Sequence, residues 1–246
     1  HNKIKQLSKE ISDYLDFDLI EKICKTTSSL NSVKSSKTKK PKTTVAIALD
    51  NSFNFYYHDN IEALRREGAK IKFFSPISDK KVPSCDLIYL GGGFPEILAS
   101  SLEKNSSMKK SIKSEAENST PIYGECGGLM YLTNSIKHHN HKYKMVGLFD
   151  AETEMTKKMT LNYTKGRIVS DCIISSPRNF CAHEFHYSKI NNIPKDAKFL
   201  YDLKIGDGIT LHKDALTEYN VIASYCHLYF DSGNFASKLI KNSLTI

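Results

Sequence analysis

The 246-residue chain has no apolar stretch long enough to cross a bilayer and no basic-then-apolar leader, so these residues predict neither a membrane-spanning helix nor a secretory signal. It has no Gly-x4-Gly-Lys-Ser/Thr, the loop that cradles nucleotide phosphates. Nor do its six cysteines (Cys24, Cys85, Cys126, Cys172, Cys181 and Cys226) form a tight framework, which argues against a disulfide-stapled scaffold. A reducing cytoplasm is the expected compartment. What is present suffices for a packed core: 40% of residues are apolar, enough for one large α/β domain or one domain with an extra lobe.

A formal charge of +8 raises the question of nucleic acid, because clustered Lys and Arg neutralise phosphates. Much of that charge is badly placed for it. Lys34, Lys37, Lys39, Lys40 and Lys42 fall in a Ser/Thr/Lys-rich stretch without apolar period, which reads as a solvated linker over 31–43. Lysine is also spread along the whole chain, so no nucleic-acid or membrane partner is expected; a basic surface suits an acidic small molecule or acidic partner domain equally well.

The densest chemistry is at Ile122-Tyr123-Gly124-Glu125-Cys126-Gly127-Gly128-Leu129-Met130-Tyr131. An apolar, strand-like approach runs into a cysteine with glycines two residues before and two after, and a helical apolar pattern follows. A nucleophile on a sharp strand-to-helix turn needs small neighbours at those two positions. The following helix aims its unpaired N–H groups at the sulfur, which favours thiolate. The plainer alternative is a buried cysteine in a glycine turn, and it leaves the coincidence of these requirements unexplained.

Around this elbow the chain alternates strand and helix. Residues 4–30 place Ile11, Leu15, Leu19, Ile20 and Ile23 near helical spacing. The run 44–50 is apolar without a break from Val45 to Leu49, as a strand buried on both faces of a parallel sheet should be. A helix is expected over 61–68 with a glycine cap, strands over 70–74 and 86–90, and a helix starting at Pro95 behind Gly91-Gly92-Gly93. That glycine loop is either an oxyanion donor or a plain turn. A further helix is expected near 107–118. His138, His139 and His141 read as a solvated loop rather than a metal site, since no cysteine or carboxylate sits beside them at ligand spacing. From about 145 to 219 the helical pattern lapses into short strands, a smaller antiparallel lobe. Within it, Cys181 to Ser188 could hold zinc only with a bulge: in a strand Cys181, His183, Phe185 and Tyr187 share one face while Glu184, His186 and Ser188 take the other. No metal is expected. Residues 220–230 read as one strand delivering His227 to its end, with a helix over 232–242. Parallel sheets gather catalytic groups at strand C-termini, where Cys126 and His227 would meet beside the glycine loop.

These residues resemble a class I glutamine amidotransferase, and more narrowly the glutaminase-type domain of the cobyrinic acid a,c-diamide synthase family, which includes the nickel-sirohydrochlorin a,c-diamide synthases. The matching stretches are FFSP at 73–76, GGGFPE at 91–96, YGECGGLMYL at 123–132, MVGL at 145–148, AHEFHYS at 182–188 and ASYCHLYF at 223–230. Wider class I enzymes commonly have Gln where Met130 stands. The resemblance implies a doubly wound, mostly parallel, flavodoxin-like sheet over 44–246, and makes 1–30 the helical tail of an absent ATP-dependent synthetase domain. It implies glutamine as substrate, Cys126 as nucleophile, His227 as base, and oxyanion donors from Gly92, Gly93 and Gly127. The acceptor it implies is a polycarboxylate tetrapyrrole, with His183, His186, Lys157 and Lys158 as candidates to face it. ATP and Mg2+ would belong to the synthetase domain, with no cofactor in this one; a homodimer is compatible. Two departures leave the third catalytic member open. The family commonly has Leu before the catalytic His and His two residues after it, where this chain has Cys226 and Tyr229, and wider class I enzymes put an imidazole-orienting Glu at the second place. Tyr229 is thus the candidate for orienting His227, and a Cys/His dyad is the expectation. Competing readings are the amidotransferase subunit of cobyric acid synthase or of a peptidoglycan-amidating ligase, and a non-catalytic docking lobe that keeps the elbow for packing.

Overall fold

A computed structural model of the protein describes residues 2–28 and 39–244, and divides them into two units. The expected linker lies partly outside the described residues, at 31–38. The first unit holds α1 (Asn2–Ser12) and α2 (Phe17–Thr26). Asp16 caps α2, its carboxylate accepting the Leu19 N–H at 2.8 Å, which satisfies one of the orphan donors of the first turn.

In the second unit the described end of the expected linker is already part of the fold. Lys39 N–H donates to Arg66 O, Lys42 N–H donates to Gly68 O at 2.9 Å, and strand β1 begins at Thr43. The chain then winds through β1 (Thr43–Ala48), α3 (His58–Arg66), β2 (Ala69–Phe74), β3 (Leu87–Leu90), α4 (Ala99–Lys104), α5 (Ser106–Glu117), β4 (Ile122–Glu125) and α6 (Gly127–Leu132). A parallel core of β2, β1, β3 and β4 results, extended by β11 (Val221–Ser224), which pairs parallel with β4. Alternation along β1 shows the double winding. Ala46 and Ala48 join a cluster with Leu102, Met108, Ile112 and Leu129 from α4, α5 and α6. Val45 and Ile47 face the other way, toward Ala63 and Leu64 of α3 and toward Phe235 and Leu239 of α7 (Phe235–Asn242). Each fully buried Leu or Ile contributes roughly 1.5–3 kcal/mol, so both helical layers are held on by their apolar stripes.

The mostly antiparallel part is built from β7 (Phe149–Ile168), β8 (Arg178–Asn191), β9 (Lys198–Ile205) and β10 (Lys213–Glu218), with a branch in which β5 (Thr133–His138) pairs parallel with β7 and antiparallel with β6 (His141–Lys144). It continues the same sheet, in the order β12-β8-β7-β9-β10-β11-β4-β3-β1-β2, where β12 is Cys226–Leu228.

Three local expectations need correction. The helix after the glycine loop starts at Ala99, not at Pro95: residues 95–98 form a turn, and Phe94 N–H ahead of it donates to Ser52 O at 3.0 Å. His138 and His141 end the paired strands of the β5–β6 hairpin, with His139 in its turn at φ 53°, so they do not form a free loop. Residues 220–230 are not one strand. The ladder with β4 ends at Ser224, and after Tyr225 the chain pairs antiparallel with β8 through Cys226, His227 and Leu228. The cause is Asp214: its buried carboxylate accepts the N–H groups of Tyr225 at 3.0 Å and Cys226 at 2.9 Å, replacing the strand partners they would otherwise need.

Candidate active site

Cys126 sits between the end of β4 and the start of α6 with φ 47° and ψ −97°, a conformation that L-residues other than Gly adopt only under local constraint. The flanking glycines are required by close approach. A Cβ on Gly128 would lie 2.2 Å from Leu90 O, and one on Gly124 would lie 2.8 Å from the Ala223 side chain. The turn therefore packs directly onto β3 and β11 and holds the sulfur at the C-terminal edge of the parallel strands.

Two glycines lie together beside it. The Gly127 N–H belongs to the first turn of α6, and a Cβ on Gly127 would come within 3.1 Å of Gly93 N. Among the described residues no acceptor takes the Gly93 N–H. Gly93 is pressed onto Ser52, whose carbonyl oxygen would lie 2.1 Å from a Cβ at φ 152°, so only glycine fits there. Gly92 is different: its N–H donates to Phe55 O at 3.1 Å, which removes it from the set of oxyanion donors. Its glycine identity serves His227 instead, because a Cβ would lie 2.8 Å from the imidazole Cε1.

His227, 3% exposed, shares a cavity of about 170 Å3 with Cys126, Gly93, Phe185 and Glu96. Phe55 meets the imidazole edge-on at a centroid separation of 5.1 Å. The strand end carrying His227 is clamped by the buried Asn60 of α3, whose Nδ2 donates to Leu228 O at 2.7 Å and whose Oδ1 accepts from Phe230 N–H at 2.8 Å. Burial pushes the imidazole pKa down, but the Cys126 thiol and the Glu125 carboxylate outweigh it and raise the pKa to about 10.

Glu125 was not singled out by its sequence pattern. It is 1% exposed, and its Oε2 lies 3.5 Å from His227 Nδ1. Tyr89 donates to Oε2 at 2.8 Å, and Tyr123 and the Leu228 N–H donate to Oε1 at 2.6 and 3.1 Å. A signal did exist, a carboxylate inside an otherwise apolar strand end next to the nucleophile, but nothing local says which partner it meets.

Tyr229, the candidate for orienting His227, does not touch it. Its hydroxyl donates to Asp59 at 3.2 Å, and the ring is 40% exposed and packs against Tyr57. The end of the strand explains this: β12 stops at Leu228, and Tyr229 already turns into the 3-10 turn Phe230–Ser232. Of the candidates for a larger substrate, Lys157 and Lys158 are exposed in the bulge between Met155 and Thr160 of β7. His183 lies beside His227 at 6.1 Å between centroids, with its buried Nδ1 unpartnered; burial, then the charge of His227, lower its pKa. His186 is committed to the interior. Its Nδ1 donates to Ser188 O at 2.8 Å, its Nε2 meets Glu184 Oε1 at 3.1 Å, and its ring stacks on Tyr225 at 3.6 Å, so neither nitrogen is free for a ligand. As the strand alternation predicts, His183 and His186 take opposite faces. No group of three potential metal ligands occurs among the described residues.

A thiol on a strained strand-to-helix turn, a buried histidine and two neighbouring glycine N–H groups are the layout of a cysteine-dependent acyl-transfer site on a parallel α/β sheet. Residues 44–235 match the model of the CobB/CobQ-like glutamine amidotransferase domain, and the chain belongs to that family. It is similar to a cobyrinate a,c-diamide synthase of Methanosarcina barkeri, 38% identical over 260 aligned positions that cover 97% of this chain and 53% of the relative. It is also similar to one of Methanococcus vannielii, 46% identical over 211 positions that cover 83% of this chain and 45% of the relative. The chain thus spans about half the length of these curated relatives. Among solved structures, PurLQS from Thermotoga maritima superposes with a TM-score of 0.61 at 15% identity, covering 84% of this chain and 98% of that one, a likeness of fold.

Proposed function

We propose that the domain hydrolyses glutamine at Cys126 and His227 and supplies the ammonia for ATP-dependent amidation of the a and c carboxylates of a tetrapyrrole, cobyrinate or nickel-sirohydrochlorin. The observation that carries this reading is the strained Cys126 elbow opening into one cavity with His227 and Gly93. The thiolate attacks the side-chain carboxamide carbon of glutamine, and the oxyanion is received by the N–H groups of Gly93 and Gly127. His227 takes the thiol proton and returns it to the departing nitrogen, which leaves as ammonia. Water, deprotonated by the same imidazole, then cleaves the thioester to glutamate. The sequence contains no P-loop, and this reading assigns ATP and Mg2+ to the part of the relatives' length that this chain does not cover; no step here runs through them.

The test uses the full-length enzyme. Cys126→Ser should abolish glutamine-dependent amidation and leave ammonia-dependent amidation largely intact, since an alcohol does not ionise in place of the thiol. Equal loss with both nitrogen donors would refute the division of labour.

A further inference from the structure

We propose that Glu125, the last residue of β4 and the one immediately before Cys126, is the positioning carboxylate for His227, taking the part for which the sequence pattern offers a residue after the histidine. The inference rests on the glutaminase reading for its consequence in rate, and on geometry alone for the contact. Four observations carry it. Glu125 is the carboxylate that faces Nδ1, at 3.5 Å, and both groups are almost fully buried. Because a carboxylate can only accept, the proton on that side of the ring belongs to Nδ1, which leaves Nε2 for the Cys126 thiol. The carboxylate is itself immobilised by Tyr89, Tyr123 and the Leu228 N–H, so its position is set before substrate arrives. Burial, then the charge of Glu125, push both phenols well above their ordinary range, so they remain neutral donors to it. The Leu228 bond also ties the strand carrying His227 to the strand carrying Cys126, so one side chain sets both the angle of the ring and its distance from the sulfur. Tyr229, which sits at the expected place, is occupied with Asp59.

Three other neighbours of His227 do not compete for the role. Cys126 is the group it serves, Phe55 offers only ring carbons, and His183 stands 6.1 Å away between ring centroids and carries no carboxylate to accept from Nδ1. A separation of 3.5 Å is long for a hydrogen bond, and contacts of this kind shorten when the substrate complex forms.

Glu125→Gln keeps the shape and removes the charge. In the 1–246 chain, the NMR titration midpoint of His227, assigned by its loss in His227→Gln, should fall by more than about one pH unit relative to wild type. In the full-length enzyme, kcat for glutamate release should drop by about a hundredfold or more with KM changed less than about threefold, the loss expected when a base is left in the wrong tautomer. Glu125→Asp, which keeps the charge, should retain the raised midpoint and recover most of the rate. It also carries the test if Glu125→Gln does not fold, since a midpoint back in the ordinary histidine range in Glu125→Asp would overturn the proposal. An unchanged midpoint in a folded Glu125→Gln would overturn it too and reduce Glu125 to a structural tie. Absence of glutaminase activity in the wild-type full-length enzyme would sink the functional reading but leave the titration result standing, so the two failures are separable.

Discussion

Two histidines four decades of chain apart, His186 and His227, are both buried and both meet a glutamate, yet their chemistry differs because their free nitrogens differ. His186 has a carbonyl on one nitrogen and Glu184 on the other, so it is a cross-link. His227 has Glu125 on one nitrogen and the thiol as its other neighbour, so it can move a proton. His227→Ala should therefore lose at least about a hundredfold in glutaminase rate. Tyr229→Phe should lose less than about tenfold, because the hydroxyl it removes serves Asp59; comparable losses in the two variants, read as glutamate release, would contradict this assignment. The raised pKa of His227 also has a consequence for stability. A histidine whose folded pKa lies at about 10 stabilises the folded state fully below the unfolded value of about 6.5 and loses that contribution as pH climbs toward the folded value. The stability difference between wild type and His227→Gln, measured by urea unfolding, should accordingly shrink between about pH 6.5 and pH 10.

Secondary-structure elements place these groups, and one junction matters more than the rest. The break between β11 and β12 moves the chain from the parallel core to the edge of β8, and this jump sets His227 beside Cys126. Apolar patterning over 220–230 cannot show it, because both halves are buried and their residues look alike. What makes the break is the Asp214 carboxylate, which arrives from β10. Asp214→Ala should orphan two buried N–H groups at about 1–3 kcal/mol each and cost about 2–6 kcal/mol in urea unfolding, with glutaminase activity falling in step as His227 loses its seat. The elbow is the opposite case. Its glycines at 124 and 128 follow from packing within a few residues of the sulfur, so the spacing alone identifies it. Gly128→Ala would press a methyl group onto Leu90 O and should leave the protein unable to fold at the elbow, seen as loss of cooperative unfolding.

At the scale of the whole domain, the described residues of the second unit form a twelve-stranded sheet in which a parallel core carries Cys126 and an antiparallel extension carries the wall of its cavity through Phe185 and His186. If ATP belongs to the part of the relatives' length not covered here, calorimetry on residues 1–246 should show no micromolar ATP binding; such binding would refute that placement. The alternation of apolar strands with amphipathic helices, the Gly-x-Cys-x-Gly turn and the two-face division of residues 181–188 were all legible in the chain, because each is a periodicity or a steric demand acting over a few neighbouring residues. The turn in place of a helix at Pro95, the broken strand before His227, the Phe55 partner that withdraws Gly92 and the carboxylate that meets the imidazole were not. Each depends on a contact between segments distant in sequence; the Leu228 N–H and the Glu125 side chain it reaches are separated by 103 residues. A buried carboxylate gains its role from the donors that surround it, and those donors are assembled only when β3, β4 and β12 come together.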